Sequence, residues 1–179
     1  AQLPFLLESI ENSAQTPSNV EVVFYLDEDS ESTQELLTGL NKVSDLVLKY
    51  VVGKETVVLS DLWNKAYPAA TGDIIMVGGD DVLFRTAEWD SKVEEAFKLF
   101  PDGIAMVFPN DGHQGAHIGV HPFLGREWIE ALGYATPPYF KYWYADNWLT
   151  EIAQRIGRFH YLEEVLVEHM HPEAGKAES

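Results

Sequence analysis

The chain has 179 residues, 46% of them hydrophobic, with a formal net charge of −17 and no cysteine. That length supports one well-buried domain over residues 1–179. So acidic a chain repels phosphate backbones and anionic lipid, which makes nucleic acid and membrane surfaces poor partners, and no nucleic-acid partner is expected. The lack of cysteine excludes disulfides, thiolate metal sites and cysteine catalysis, and fits a reducing, cytoplasmic setting. No segment approaches the ~20 apolar residues of a membrane span, and the chain opens without a signal-peptide pattern.

Leu3, Leu6, Leu7 and Ile10 fall at helical spacing and predict an opening amphipathic helix. Val20 to Leu26 reads as a buried strand, followed at its carboxyl end by Asp27-Glu28-Asp29-Ser30. Ser32 with Glu35 predicts a capping box for a helix through Leu36, Leu37 and Leu40. Leu46 to Val52 reads as a second strand. Ser60 is expected to cap the next helix, whose apolar face is Trp63, Ala66, Tyr67 and Ala70.

Asp73 to Val77 is a third strand, running straight into Gly78-Gly79-Asp80-Asp81. Trp89, Val93, Ala96, Phe97 and Phe100 mark a further helix. Ile104 to Phe108 is the fourth strand and His117 to Phe123 the fifth. Gly125 to Leu132 reads as a short helix, Leu149 to Ile156 as the last helix, and Phe159 to Val167 as the final strand. The tail from His171 onward, small and charged, reads as mobile. Alternating helices and strands predict an α/β fold with an open, mostly parallel central sheet flanked by helices, and such sheets bind ligands beyond the carboxyl ends of their strands.

Asp27 and the Asp80-Asp81 pair sit at such ends. Two adjacent carboxylates on a rigid turn suit a hard cation such as Mn²⁺ or Mg²⁺, which takes one or two carboxylates together with substrate phosphates. Glycines before them would let a diphosphate approach the backbone. Taken alone, the motif fits a solvated acidic turn equally well. Asp146 lies near the start of the last helix, where it suits a helix cap or a general base, and one residue can serve as both. Tyr139, Phe140, Tyr142, Trp143, Tyr144 and Trp148 surround it, suited to stacking on a sugar or to packing in a core. His113 and His117 stand in a glycine-rich loop with no assignable role.

The segment WNKAYPAATGDIIMVGGDDVLF, with LPFLLESIENSAQTPSNVEVVFYLDEDSEST before it and PFLGREWIEALGYATPPYFKYWYADNWLTEIAQRIG after it, resembles glycosyltransferase family 2, with its GT-A fold. The resemblance implies a metal-dependent enzyme moving a sugar from a nucleoside diphosphate-sugar to a carbohydrate or other hydroxyl acceptor, with inversion. It implies Asp81 as the metal-binding acid, and Asp27, Asn64 and Asp80 on the nucleotide-sugar side. Gly79 fills the first place of the family's acid-x-acid motif. Asp146 matches the general base, with Ala145 in place of the family's glutamate. Beyond the final strand the resemblance implies a histidine metal ligand, His171 ahead of His169, and Lys176 in the tail suits either a diphosphate oxygen or solvent. The family's first β-strand has no counterpart in these residues. Two other readings remain at this point: a nucleotidyltransferase of similar fold, and a glycosyltransferase-like domain that binds without catalysing.

Overall fold

The computed structural model describes residues 3–170. Leu6, Leu7 and Ile10 form the buried stripe of α1 (Leu3–Ser13). The β-branched and aromatic run after it extends into β1 (Glu21–Asp27), which pairs in parallel with β2 (Val47–Gly53) across the crossover helix α2 (Glu31–Leu40). After α3 (Leu59–Ala66) come β3 (Ile74–Met76), β4 (Val82–Phe84) and α4 (Trp89–Phe97). Then follow β5 (Met106–Asn110), β6 (Phe123–Gly125), α5 (Arg126–Leu132), α6 (Ala145–Arg155) and β7 (Phe159–His169).

The last five strands form one sheet in the order β3-β6-β5-β7-β4. β5 and β7 run parallel, while β6 opposes both β3 and β5, and β4 opposes β7. The expected α/β fold is therefore present, but where a mostly parallel sheet was expected, β5–β7 is the one parallel pairing of these five strands and the other three pairings are antiparallel.

β5 is the centre of the core, with Met106, Val107 and Phe108 all 0% exposed. Side chains alternate across it. Met106 and Leu124 face α5 and α6 through Trp128, Ile129, Leu149 and Ala153. Val107 and Phe123 face α1 and α4 through Leu6, Trp89, Val93 and Phe97. Trp89 joins that layer by ring contacts to Phe84 at 4.5 Å and Phe123 at 5.8 Å. Each such fully buried apolar side chain contributes about 1.5–3 kcal/mol. Gly125 allows the start of α5 to pass against the 103 turn, since a Cβ there would lie 1.7 Å from the Gly103 carbonyl oxygen.

Three caps differ from expectation. α2 begins at Glu31 with Ser30 before it, so Ser32 and Glu35 form no capping box. Ser30 turns back instead, and its hydroxyl and N–H both donate to the Asp27 carbonyl. Ser60 is the second residue of α3, buried, and donates to the Phe140 carbonyl at 2.9 Å. Asp146 is the second residue of α6, and Tyr144 holds the cap position at φ 75.

No ladder joins β1 to β3. A cleft of about 1190 Å³ separates them, lined by Val22, Phe24 and Leu26 on one bank and Ile75, Met76 and Trp63 on the other. Glu21 bridges the banks at one end. Its carboxylate accepts from the Lys49 ammonium at 2.5 Å, the Thr71 amide at 2.8 Å and the Thr71 hydroxyl at 2.7 Å. Among the described residues no helix is long and apolar enough to cross a membrane.

Candidate functional site: a carboxylate and two imidazoles at the strand ends

The pairing of β4 with β7 sets the register of the site. Val82 lies opposite His169, and the Met170 amide donates to the Asp81 carbonyl at 2.8 Å. Asp81 and His169 are thereby side by side although 88 residues apart in the chain, and His169 Nε2 meets Asp81 Oδ2 at 3.1 Å. The reach of β7 comes from an irregularity in its ladder with β5, where Pro109 pairs with Leu162 but Asn110 with Leu166. Pro109, lacking an N–H, sits at that break.

A third group completes the cluster. The His121 ring stands edge-on to that of His169, with centroids 4.6 Å apart. One ligand atom each from Asp81, His121 and His169 lie within 4.8 Å of one another. His121 has φ 53 and precedes Pro122, a backbone setting that costs about 1–3 kcal/mol for a non-glycine residue. Its Nε2 is buried and has no hydrogen-bond partner. Asp111, 2% exposed, holds the neighbouring loop. Its Oδ1 accepts the amides of His113, Gln114 and Gly115, and its carbonyl accepts the His169 amide at 3.0 Å.

The hydrogen bond from His169 holds the Asp81 carboxyl below its ordinary range, against the opposing effect of burial. The same bond raises the His169 imidazole. Burial pushes His121 down to about 4, and the neighbouring His169 adds to that. At neutral pH the cluster thus offers a carboxylate and an unprotonated imidazole, the forms a cation requires. The donor chemistry fits a divalent metal, and the orphaned, buried Nε2 of His121 is the observation that favours it.

Glycines shape the approach. A Cβ on Gly79 would lie 2.6 Å from Asp81 Oδ1, so the acid-x-acid form could not be written here without moving Asp81. The Trp63 indole N–H donates to the Gly78 carbonyl at 2.9 Å and ties this turn to α3.

The other expected residues are placed as follows. Asp80 is exposed and lines the cleft between β1 and β3. Asp27 ends β1, opposite Gly53. Asn64 uses its carboxamide within the protein: Nδ2 donates to the Thr136 carbonyl at 2.8 Å, and Oδ1 accepts the Ala135 and Thr136 amides. It ties α3 to the loop before α6. Asp146 is half-buried, and its Oδ1 accepts the next residue's amide at 2.9 Å. Beside it Tyr139, Tyr142, Trp143 and Tyr144 are exposed, Trp143 to 81%. His171 and Lys176 lie outside the described residues. His121 and Asp111 were absent from the sequence reading. The only local signal for His121 is its place between a glycine-containing loop and Pro122.

The sequence profile of glycosyl transferase family 2 matches residues 1–164. No curated protein sequence matches the chain. Among solved structures, the mannosyltransferase PcManGT from Pyrobaculum calidifontis, in complex with GDP-Man and Mn2+, is similar with a TM-score of 0.71 at 18% identity. The match covers 97% of this chain and 55% of that one, so this chain spans about half the length of its structural relative. That likeness identifies the GT-A fold, and the profile match identifies the lineage: the chain belongs to glycosyl transferase family 2.

Proposed function

We propose that this chain transfers a sugar from a nucleoside diphosphate-sugar to an acceptor hydroxyl, with inversion, using Mn²⁺ or Mg²⁺ at Asp81 and His169, in the cytoplasm. The observation that carries the reading is the meeting of Asp81 with His169 at the strand ends of a family 2 chain. The relative that binds GDP-Man with Mn2+ supports it.

Asp81 and His169 would hold the cation, with His171 and Lys176 available from the segment beyond. A bound cation supplies Lewis-acid neutralisation of the leaving diphosphate. Asp27 and Asp80 orient the nucleotide and ribose. Asn64 acts through the loop it holds, by fixing the 135–136 backbone. Asp146 accepts the proton of the acceptor hydroxyl, and the exposed aromatics beside it offer faces on which a sugar ring can stack. The cleft lies between β1 and β3, which belong to different sheets with no ladder between them. We place there the family's first strand, which would pair with the edges of both.

The test is calorimetric titration of a nucleoside diphosphate with Mn²⁺, with Mg²⁺ and with chelator. Binding is expected to be at least ~10-fold tighter with metal, because a chain of net charge −17 repels the bare ligand. Asp81→Asn should remove most of that gain. Equal binding with and without metal would defeat the reading.

A further inference from the structure

We propose that His121 is a third protein ligand to the cation, so that the site offers two imidazole nitrogens and one carboxylate and prefers Mn²⁺ and later first-row ions to Mg²⁺. The inference rests on the reading of Asp81 and His169 as metal ligands and adds to it a residue and a selectivity.

The geometry carries it. Donor atoms roughly 2.0–2.2 Å from one ion lie about 3 Å apart when adjacent and about 4 Å apart when opposed. The Asp81–His169 separation of 3.1 Å falls at the first value, and the three donors lie within 4.8 Å overall. His121 is held in place for this. The residue sits at positive φ, and the next residue's carbonyl, that of Pro122, accepts the Val77 amide at 2.9 Å, which anchors the loop to the end of β3. Two residues earlier the Gly119 amide donates to the Thr150 hydroxyl at 3.0 Å and anchors it to α6. The buried Nε2 meets no partner among the described residues. A buried polar atom left unpaired at a strained residue is destabilising, and a bound cation would give it a partner.

The neighbouring acids do not offer the same role. Asp80 is exposed; Asp111 gives one oxygen to three backbone amides, and although its Oδ2 is also buried without a partner, the residue stands outside the cluster of donors within 4.8 Å of one another. Selectivity follows from ligand type. Mg²⁺ favours oxygen donors, whereas imidazole suits the first-row transition ions, whose affinities rise from Mn²⁺ toward Cu²⁺. Three protein ligands on a six-coordinate ion leave three positions for diphosphate oxygens and water.

The test uses the whole chain and the metals alone. Free Mn²⁺ is followed by electron paramagnetic resonance during titration, Mg²⁺ binding by calorimetry, and nitrogen coordination by spin-echo modulation of bound Mn²⁺. The wild-type chain is expected to prefer Mn²⁺ by at least ~10-fold, with modulation from two imidazoles. His121→Gly and His121→Asn both tolerate the positive φ. Each should weaken Mn²⁺ binding by at least ~10-fold, a loss already seen for outer-shell changes at metal sites, remove most of the preference, and leave one coordinating imidazole. Mn²⁺ affinity within twofold of wild type in both variants, or unchanged nitrogen modulation, would overturn the role of His121 alone. A wild-type chain that binds no Mn²⁺, or an Asp81→Asn variant that binds it normally, would overturn this proposal together with the reading of Asp81 and His169.

Discussion

Gly79→Ala puts the smallest possible perturbation next to the site. The added Cβ would lie 2.6 Å from Asp81 Oδ1, about 0.8 Å inside an ordinary 3.4 Å contact. The Asp81 backbone cannot yield easily, because its carbonyl accepts the Met170 amide and β4 starts at the next residue. The carboxylate must rotate, and its Oδ2 then leaves His169. A bound cation would replace that hydrogen bond, so what the variant loses is the placement of the carboxylate as a ligand beside His169. Disturbing the support of a metal ligand costs about 10–100-fold in affinity, and because the displaced atom is the end of a rotatable side chain the expected fall in Mn²⁺ affinity is at the low end, about 10-fold. Fold stability offers no competing explanation, since Gly79 has no positive φ and alanine there restricts the unfolded chain. Gly78→Ala is the control: its Cβ would meet only the Met76 methyl at 3.5 Å, and Mn²⁺ binding should stay within about twofold of wild type. The assay is calorimetric Mn²⁺ titration of both variants, with thermal melting in chelator to show that each is folded. A folded Gly79→Ala chain that binds Mn²⁺ like wild type would refute the argument.

Asp146→Asn should lower sugar transfer by at least ~100-fold while donor affinity changes little. Full transferase activity in the folded variant would assign Asp146 to the helix alone, where its charge near the start of α6 contributes only about 0.3–1 kcal/mol. Burial alone would raise the Glu21 carboxyl, but hydrogen bonds from Lys49 and Thr71 outweigh it and hold the group below its ordinary 4.5. Its contribution is therefore present above pH 4.5 and lost as pH falls through the lower folded value. Urea melts should show Glu21→Gln less stable by about 1 kcal/mol at pH 7, with the gap closing below about pH 4, and a gap independent of pH would refute the ion-paired account.

The parts of the fold legible in the sequence were those with periodic apolar patterns. The stripe of α1, the apolar run of β1 and the motif after β3 lie within a residue or two of their expected limits, although β1, expected to be buried, is only half-buried along the cleft. β4 escaped because three residues wedged between an acidic turn and a helix carry no period. The fifth strand was expected at His117 to Phe123 and forms at Phe123–Gly125, because a short 3-10 turn at Gly115–His117 and the strained His121 occupy the earlier positions. Asp81 was legible as one end of a motif, whereas its contact with His169 depends on strand register that no local pattern encodes. His121 was invisible for the same reason, and Asp111 reads in sequence as an ordinary Asn-Asp-Gly turn.

The two halves of the proposed donor site have different structural supports. Asp81, His121 and His169 all hang on the five-stranded sheet and its β5–β6 loop, tied by the β4–β7 ladder and by Asp111. Asp27 ends β1 in the two-stranded sheet, across the cleft from β3, so its distance from Asp80 depends on what joins the two banks. The Glu21–Thr71 bridge lies at the opposite end of β1 from Asp27 and leaves the nucleotide end of the cleft without a ladder. A strand seated between β1 and β3 would fix that end, and nucleotide affinity should depend on it. Cation affinity should not, because none of the three proposed ligands borders the cleft. Weak nucleotide binding by residues 1–179 would accordingly speak to the cleft, and the cation titrations remain the direct measure of the chemistry proposed for Asp81, His121 and His169.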